Sequence, residues 1–99
     1  MRLSTASRQL IRQAITELVG EQASVKLFGS RLDDQQKGGD IDLLVTVLHP
    51  VDNPALLVAR MGAALHRALE GRKVDIVLQA PNLQRQPIHQ IAEAEGVEL

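Results

Sequence analysis

Residues 40–48, DIDLLVTVL, form the most strongly patterned segment of the chain. An uninterrupted run of aliphatic and β-branched residues without glycine or proline is typical of a β-strand. One predicted face of this strand is wholly apolar: Ile41, Leu43, Val45 and Val47. The opposite face begins with Asp40 and Asp42 and continues through Leu44 and Leu48. Two carboxylates in so apolar a strand require an explanation.

The rest of the sequence alternates between helical and extended patterns. Apolar spacing predicts helices over residues 4–19, 54–70 and 88–96, and alternation predicts strands over 23–28 and 73–79. Gly20 and Gly71 are suited to end the first two of these helices, and Pro54 to begin the second. The polar segment 29–39 has room for one or two helical turns. We therefore expect one α/β (α+β) domain over residues 1–99, with a small mixed β-sheet flanked by helices.

Composition excludes several classes of protein. The 99 residues carry a net charge of −1 with no basic block, so we expect no sequence-specific nucleic-acid binding. Phe28 is the only aromatic residue, which disfavours a base-stacking platform. There is no cysteine for a disulfide or thiolate metal site, and no apolar run long enough to cross a membrane. We expect a soluble, cytoplasmic protein without a membrane partner.

Three aspartates are the candidate metal ligands. Asp40 and Asp42 share a strand face, about 7 Å apart along the backbone. Asp75 stands in the third predicted strand and becomes a third ligand if the two strands are neighbours. Carboxylates without cysteine or clustered histidine favour a hard cation, Mg²⁺ or Mn²⁺.

Gly29 and Ser30 follow the first predicted strand and are candidates for phosphate binding. Glycine at a strand end permits close approach of the backbone to a ligand. Serine at the start of a helical turn offers its hydroxyl and nearby N–H groups to a phosphate.

Each of these features also has a purely structural interpretation. A glycine-serine pair is commonly just a turn, and alternating aspartates commonly face solvent. Asp75 could simply pair with Arg72 or Lys73. Leu44 and Leu48 on the aspartate face argue against plain solvent exposure. The separate features also fit one site, where clustered carboxylates repel one another unless a cation joins them.

The segments LFGS, DIDLLV and VDIVL, in this order, resemble the signature of the DNA polymerase beta-type nucleotidyltransferase superfamily. The small size resembles the minimal nucleotidyltransferases (MNT) of prokaryotes, and IHQIAEAEGVEL is similar to their closing helix and short strand. The resemblance implies Mg²⁺-dependent transfer of a nucleoside monophosphate from an NTP, such as ATP, to a hydroxyl. Many such relatives are antitoxins of HEPN/MNT toxin–antitoxin pairs, which adenylylate a tyrosine of a helical HEPN toxin. The resemblance thus implies a helical HEPN-type partner.

The resemblance also implies a role for each matching residue. Gly29, Ser30 and Arg31 would hold the nucleotide; Asp40, Asp42 and Asp75 would be the catalytic metal ligands. Asp75 would also help to deprotonate the acceptor. The chain departs from the family pattern in its loop, GSRLDDQQKGG, where relatives often read GSRARG, and in Gly39, where serine is usual.

Two other functions remain open on the sequence. The altered loop is compatible with a catalytically weak nucleotide-binding module that acts by docking a partner protein. A small-molecule nucleotidyltransferase is the other alternative, although relatives of that kind usually carry an extra domain for the acceptor. Helix 54–70 is apolar around most of its circumference, which predicts either deep burial under the sheet or a partner interface.

Overall fold

The computed structural model describes residues 4–29 and 41–99. These ranges form three helices and four strands: α1 (Thr5–Val19), β1 (Ser24–Phe28), β2 (Ile41–Thr46), α2 (Pro54–Ala68), β3 (Val74–Gln79), α3 (Pro87–Glu95) and β4 (Val97–Glu98). The predicted α/β class and the predicted order of these elements are confirmed. The possible helical turns within 29–39 lie outside the described residues, except for Gly29.

Local sequence signals account for the ends of the first two helices. The Ser4 side chain accepts a hydrogen bond from the N–H of Ser7 (3.1 Å), which caps α1, and Gly20 follows that helix with φ 92°. The Asn53 side chain accepts from the N–H of Leu56 (3.1 Å), with Pro54 in the first turn of α2. α2 ends at Ala68, two residues before the predicted end, because Glu70 and Gly71 already have positive φ.

The sheet has the strand order β3-β2-β1-β4. β1 pairs antiparallel with β2 and with β4, whereas β2 and β3 are parallel and are joined through α2. A parallel pair requires such a crossover connection. β3 therefore lies at one edge of the sheet and the short strand β4 at the other.

The two faces of the sheet are covered differently. The main core lies between the sheet and the pair α1 and α2, where Ile11, Leu43 and Leu65 are fully buried. On the opposite face, Ala92 of α3 packs against Phe28 and Leu44. The alternation predicted for β2 is thus confirmed: Ile41, Leu43 and Val45 face α1 and α2, and Leu44 faces α3.

Side-chain hydrogen bonds attach α3 to the sheet. His89 is buried, and its Nε2 lies 2.8 Å from the carbonyl oxygen of Leu78. The N–H of Gln86 donates to Nδ1 of His89 (3.0 Å). Because Nδ1 accepts, the neutral ring carries its proton on Nε2 and donates it to Leu78. Nζ of Lys26 donates to the carbonyl oxygen of Glu93 (3.1 Å), which adds a second attachment.

α2 is less deeply buried than its composition suggests. Met61 and Leu65 are buried, and Leu69 is buried just after the helix, whereas Leu56 is 46% exposed. α2 therefore contributes one stripe to the core and leaves an apolar residue on the surface. No helix in residues 4–29 and 41–99 is long and apolar enough to cross a membrane.

Candidate functional site

Two of the three predicted metal ligands are neighbours in the sheet. Asp42 is the second residue of β2, Asp75 is the second residue of β3, and the parallel register pairs them directly. Neighbouring strands are about 4.8 Å apart, and paired residues direct their side chains to the same face. The half-buried Asp42 and the exposed Asp75 therefore lie side by side at one end of the sheet.

Gly29 lies beside this pair. It has φ 80°, and a Cβ atom placed on it would collide with the carboxylate oxygen Oδ2 of Asp42 and lie 3.2 Å from Cγ. Any side chain at position 29 would thus compete with the Asp42 carboxylate for the same space, while the positive φ independently favours glycine. Gly29 was predicted to approach a phosphate closely. In the structure the Asp42 carboxylate lies directly against it.

The α3-facing side of the sheet is arranged in rows across β1, β2 and β3. Phe28, Asp42 and Asp75 form the end row, because Phe28 pairs with Asp42 and Asp42 pairs with Asp75. The next row is formed by Lys26, Leu44 and Val77. Leu44, Val77 and Phe28 pack together with Ala92. The carboxylate pair is therefore bordered by packed apolar groups.

Next to this apolar cluster, the side chains of Arg85, Glu93 and Gln79 contact one another. Nη2 of Arg85 lies 2.7 Å from Oε2 of Glu93, and Nε2 of Gln79 donates to the same oxygen (3.4 Å). The hydrogen bond and the positive charge of Arg85 lower the pKa of Glu93 below its usual value. Lys26 and Arg85 thus both contact Glu93 on α3.

The remaining predicted site residues, Ser30, Arg31 and Asp40, lie outside the described residues. The structure places the other three, Gly29, Asp42 and Asp75, at one end of the sheet. It does not test the roles assigned to them, which stay predictions. Sequence reasoning did not identify Phe28 as a neighbour of the site. Its position immediately before Gly29 was the available signal.

The donor chemistry of the pair fits a divalent cation. Two adjacent carboxylates offer oxygen ligands of the kind that Mg²⁺ and Mn²⁺ prefer. Within the described ranges, no group of three or more histidine, aspartate or glutamate side chains is arranged to hold a metal ion. Asp42 and Asp75 would therefore contribute two ligands, and Asp40 is the predicted third.

A separate concavity of about 400 Å³ lies between α1 and the end of the chain. Its lining includes Arg8 and Arg12 of α1, whose guanidinium groups donate to the carbonyl oxygens of Glu98 (3.3 Å) and Leu99 (3.4 Å). These contacts tie α1 to the β4 edge of the sheet, away from Asp75 on the opposite edge.

Comparison with known proteins agrees with this geometry. A family model described as "Nucleotidyltransferase domain" matches residues 8–97, which include β1, β2, β3 and most of α1. A search of curated proteins gives no match. The mixed four-stranded sheet flanked by three helices is consistent with the nucleotidyltransferase fold. With nearly the whole chain matched, this protein belongs to the nucleotidyltransferase domain family and is a transferase of nucleotidyl groups.

Proposed function

We propose that this protein transfers AMP from ATP to a tyrosine hydroxyl of a helical, HEPN-type partner protein, and thereby acts as an antitoxin. The observation that carries the transfer chemistry is the pairing of Asp42 with Asp75 beside Gly29. It provides two adjacent carboxylates, one of which lies directly against Gly29. The identity of the acceptor rests on the sequence resemblance to minimal nucleotidyltransferases.

The proposed reaction is an in-line displacement at phosphorus. The tyrosine oxygen attacks the α-phosphorus of ATP and forms a new P–O bond. The bond between the α-phosphorus and the oxygen bridging to the β-phosphate breaks, and pyrophosphate leaves. The phenolic proton passes to the carboxylate of Asp75, which is exposed and therefore accessible to an acceptor.

Asp42, Asp75 and Asp40 would hold Mg²⁺, which supplies charge neutralisation for the triphosphate and lowers the pKa of the attacking hydroxyl. Gly29 leaves the space above its Cα to the Asp42 carboxylate and so helps to fix its position. The apolar packing of Phe28 and Leu44 against Ala92 provides support beside the pair, on the same face of the sheet. Such support matters because transfer depends on accurate positioning.

Two features support an acceptor on a separate protein. The 99 residues contain no tyrosine, so a tyrosine acceptor has to come from elsewhere. Several large apolar side chains are also exposed, among them Leu18 (39%) and Leu56 (46%), which line the same concavity. Exposed apolar side chains near one another are typical of surfaces that contact other proteins.

Intact-mass spectrometry of a purified helical partner, incubated with this protein, ATP and Mg²⁺, tests the proposal. We expect the partner to gain the mass of one adenylyl group (AMP less one water) on tyrosine, and no gain with Asp42→Asn. Thermal unfolding of the protein alone with ATP and Mg²⁺ provides the control for nucleotide binding. If the partner binds tightly and never gains mass, the proposal is wrong and the protein acts as a nucleotide-binding module that docks a partner.

A further inference from the structure

We propose that the outer edge of β3 binds the acceptor as an extended polypeptide segment and places its hydroxyl residue opposite Asp75. This inference deepens the proposed function and rests on it for the chemistry of transfer. It concerns how an acceptor reaches Asp75, and it names the kind of partner: a protein that offers a short stretch of extended backbone.

The hydrogen-bonding pattern identifies which backbone groups are available. Ile41 donates to the carbonyl of Lys73 (3.0 Å) and Val47 donates to the carbonyl of Gln79 (2.9 Å), at the two ends of the parallel ladder. In this register the odd-numbered residues of β3 direct their N–H and C=O groups towards β2. Val74, Ile76 and Leu78 therefore direct theirs towards the outer edge.

One end of this edge is already covered. The carbonyl of Leu78 accepts the hydrogen bond from Nε2 of His89, so α3 closes the edge there. Among residues 4–29 and 41–99, no strand pairs with the outer side of β3. Within the described part of the chain, the outward backbone groups of Val74 and Ile76 therefore pair with no strand, and they flank Asp75 on both sides.

The two edges of the sheet differ in their protection. Exposed edge strands are usually shortened, bulged or interrupted by proline, because they otherwise pair with other chains. β4 is protected by its length of two residues. β3 has six residues, contains no proline and keeps an uninterrupted register with β2. The outer edge of β3 leads directly to the candidate site, as expected if this edge binds an acceptor.

The geometry of an added strand suits the reaction. Because Asp75 directs its backbone groups to β2, a residue opposite it on an antiparallel segment would form a non-hydrogen-bonded pair. In such pairs the side chains approach most closely, with Cβ atoms about 4.5–5.5 Å apart. Both side chains project from the same face, so the acceptor side chain would lie alongside Asp75. Backbone pairing would supply affinity, and the residue in register would be the one modified.

Amide hydrogen exchange with a short synthetic peptide tests the docking directly. The probe alternates glutamine and valine, with a lysine at each end and one central tyrosine that carries its only hydroxyl. The Ile76 amide should exchange rapidly in the free protein and slow at least about tenfold with the peptide. The Val77 amide, which belongs to the β2 ladder, should be slow in both states. An Ile76 amide that is already protected, or unchanged by saturating peptide, would overturn the proposal.

Transfer to the peptide is tested with Ile76→Pro and Ile76→Ala. Both variants remove the same half-buried side chain, but only proline removes the outward N–H, and the ladder to β2 does not use that group. With ATP and Mg²⁺, we expect AMP labelling of the peptide by Ile76→Pro to be at least about tenfold below that by Ile76→Ala. Equal labelling by the two variants would contradict backbone docking.

Matched peptides separate this inference from the proposed function. A central phenylalanine peptide should protect the Ile76 amide without gaining mass, whereas a peptide with N-methylated backbone should do neither. Labelling of a central serine peptide but not of the tyrosine peptide would support the docking edge and refute the tyrosine acceptor.

Failure of ATP and Mg²⁺ to stabilise the wild-type protein would refute the proposed function, even if Ile76 is protected. A concentration-dependent dimer that Ile76→Pro abolishes would assign the edge to a second copy and overturn the acceptor assignment.

Discussion

Asp42 and Asp75 are paired residues on two parallel strands, and each is the second residue of its strand. They are separated by 33 positions in the sequence, yet the crossover through α2 brings them about 4.8 Å apart at the backbone. Like charges placed directly opposite on a sheet destabilise it. A fold that keeps such a pair, and seats one member on a glycine, is consistent with a cation-dependent site.

Removing one charge of the pair should separate stability from metal binding. We expect Asp75→Asn to increase the metal-free free energy of unfolding by roughly 0.5 kcal/mol, since it relieves repulsion at an exposed position. Mg²⁺ with ATP should stabilise the wild type by about 2.7 kcal/mol at a hundredfold excess over Kd, and the variant much less. Differential scanning calorimetry with and without Mg²⁺ measures both effects. An undiminished Mg²⁺ response in the variant would remove Asp75 from the metal site.

Gly29→Ala should lower the free energy of unfolding by more than backbone strain alone predicts. Positive φ costs a side chain about 1–2 kcal/mol, and at Gly29 the added methyl also collides with Asp42. Gly20→Ala is the matched control, because Gly20 has φ 92° and a methyl group added there would have no atom within 4 Å. Chemical denaturation should show a larger loss for Gly29→Ala, partly recovered in the double variant with Asp42→Ala. Equal losses at the two glycines would show that Asp42 does not rest on Gly29.

His89→Ala should loosen α3. The substitution removes the hydrogen-bond donor to Leu78 and the acceptor for Gln86, and it leaves a cavity. We therefore expect the free energy of unfolding to fall by about 2–3 kcal/mol. His66→Ala, on the exposed side of α2, should change the free energy of unfolding by less than about 0.5 kcal/mol. Urea denaturation of both variants distinguishes them. A loss at His89 no larger than that at His66 would mean that α3 is held by other contacts.

The ion pair between Arg85 and Glu93 should give stability a specific pH dependence. The folded pKa of Glu93 is lowered, chiefly by the hydrogen bond and charge of Arg85, from an ordinary value of 4.5. Its contribution is therefore complete above the ordinary pKa and is lost as pH falls through the lowered pKa of the folded state. NMR titration of the Glu93 carboxyl should show an upward shift of its pKa in Arg85→Ala, and a smaller effect of that substitution in high salt. An unchanged Glu93 titration in Arg85→Ala would contradict the assignment.

Local sequence was sufficient to predict the three helices and strands β1 to β3, whereas β4 was expected only from the family resemblance. The stop at Gly20 and the start of α2 at Pro54 were predictable because they depend on the conformations of single residues. Alternation in 40–48 predicted which side chains of β2 meet the main core, because a strand has only two faces. The order of the motifs also indicated the family, since each signature segment is an unbroken stretch of sequence.

The tertiary structure alone decided which distant residues meet. The register that pairs Asp42 with Asp75 depends on how α2 packs, and no local pattern specifies it. The contact between Gly29 and Asp42 depends on the antiparallel pairing of β1 with β2. The sequence also did not reveal that β3 lies at the edge of the sheet, or that His89 covers one end of that edge. Strand order depends on how all the helices are buried together. The candidate ligands could be named from their chemistry, whereas their arrangement and the open route to Asp75 required the folded chain.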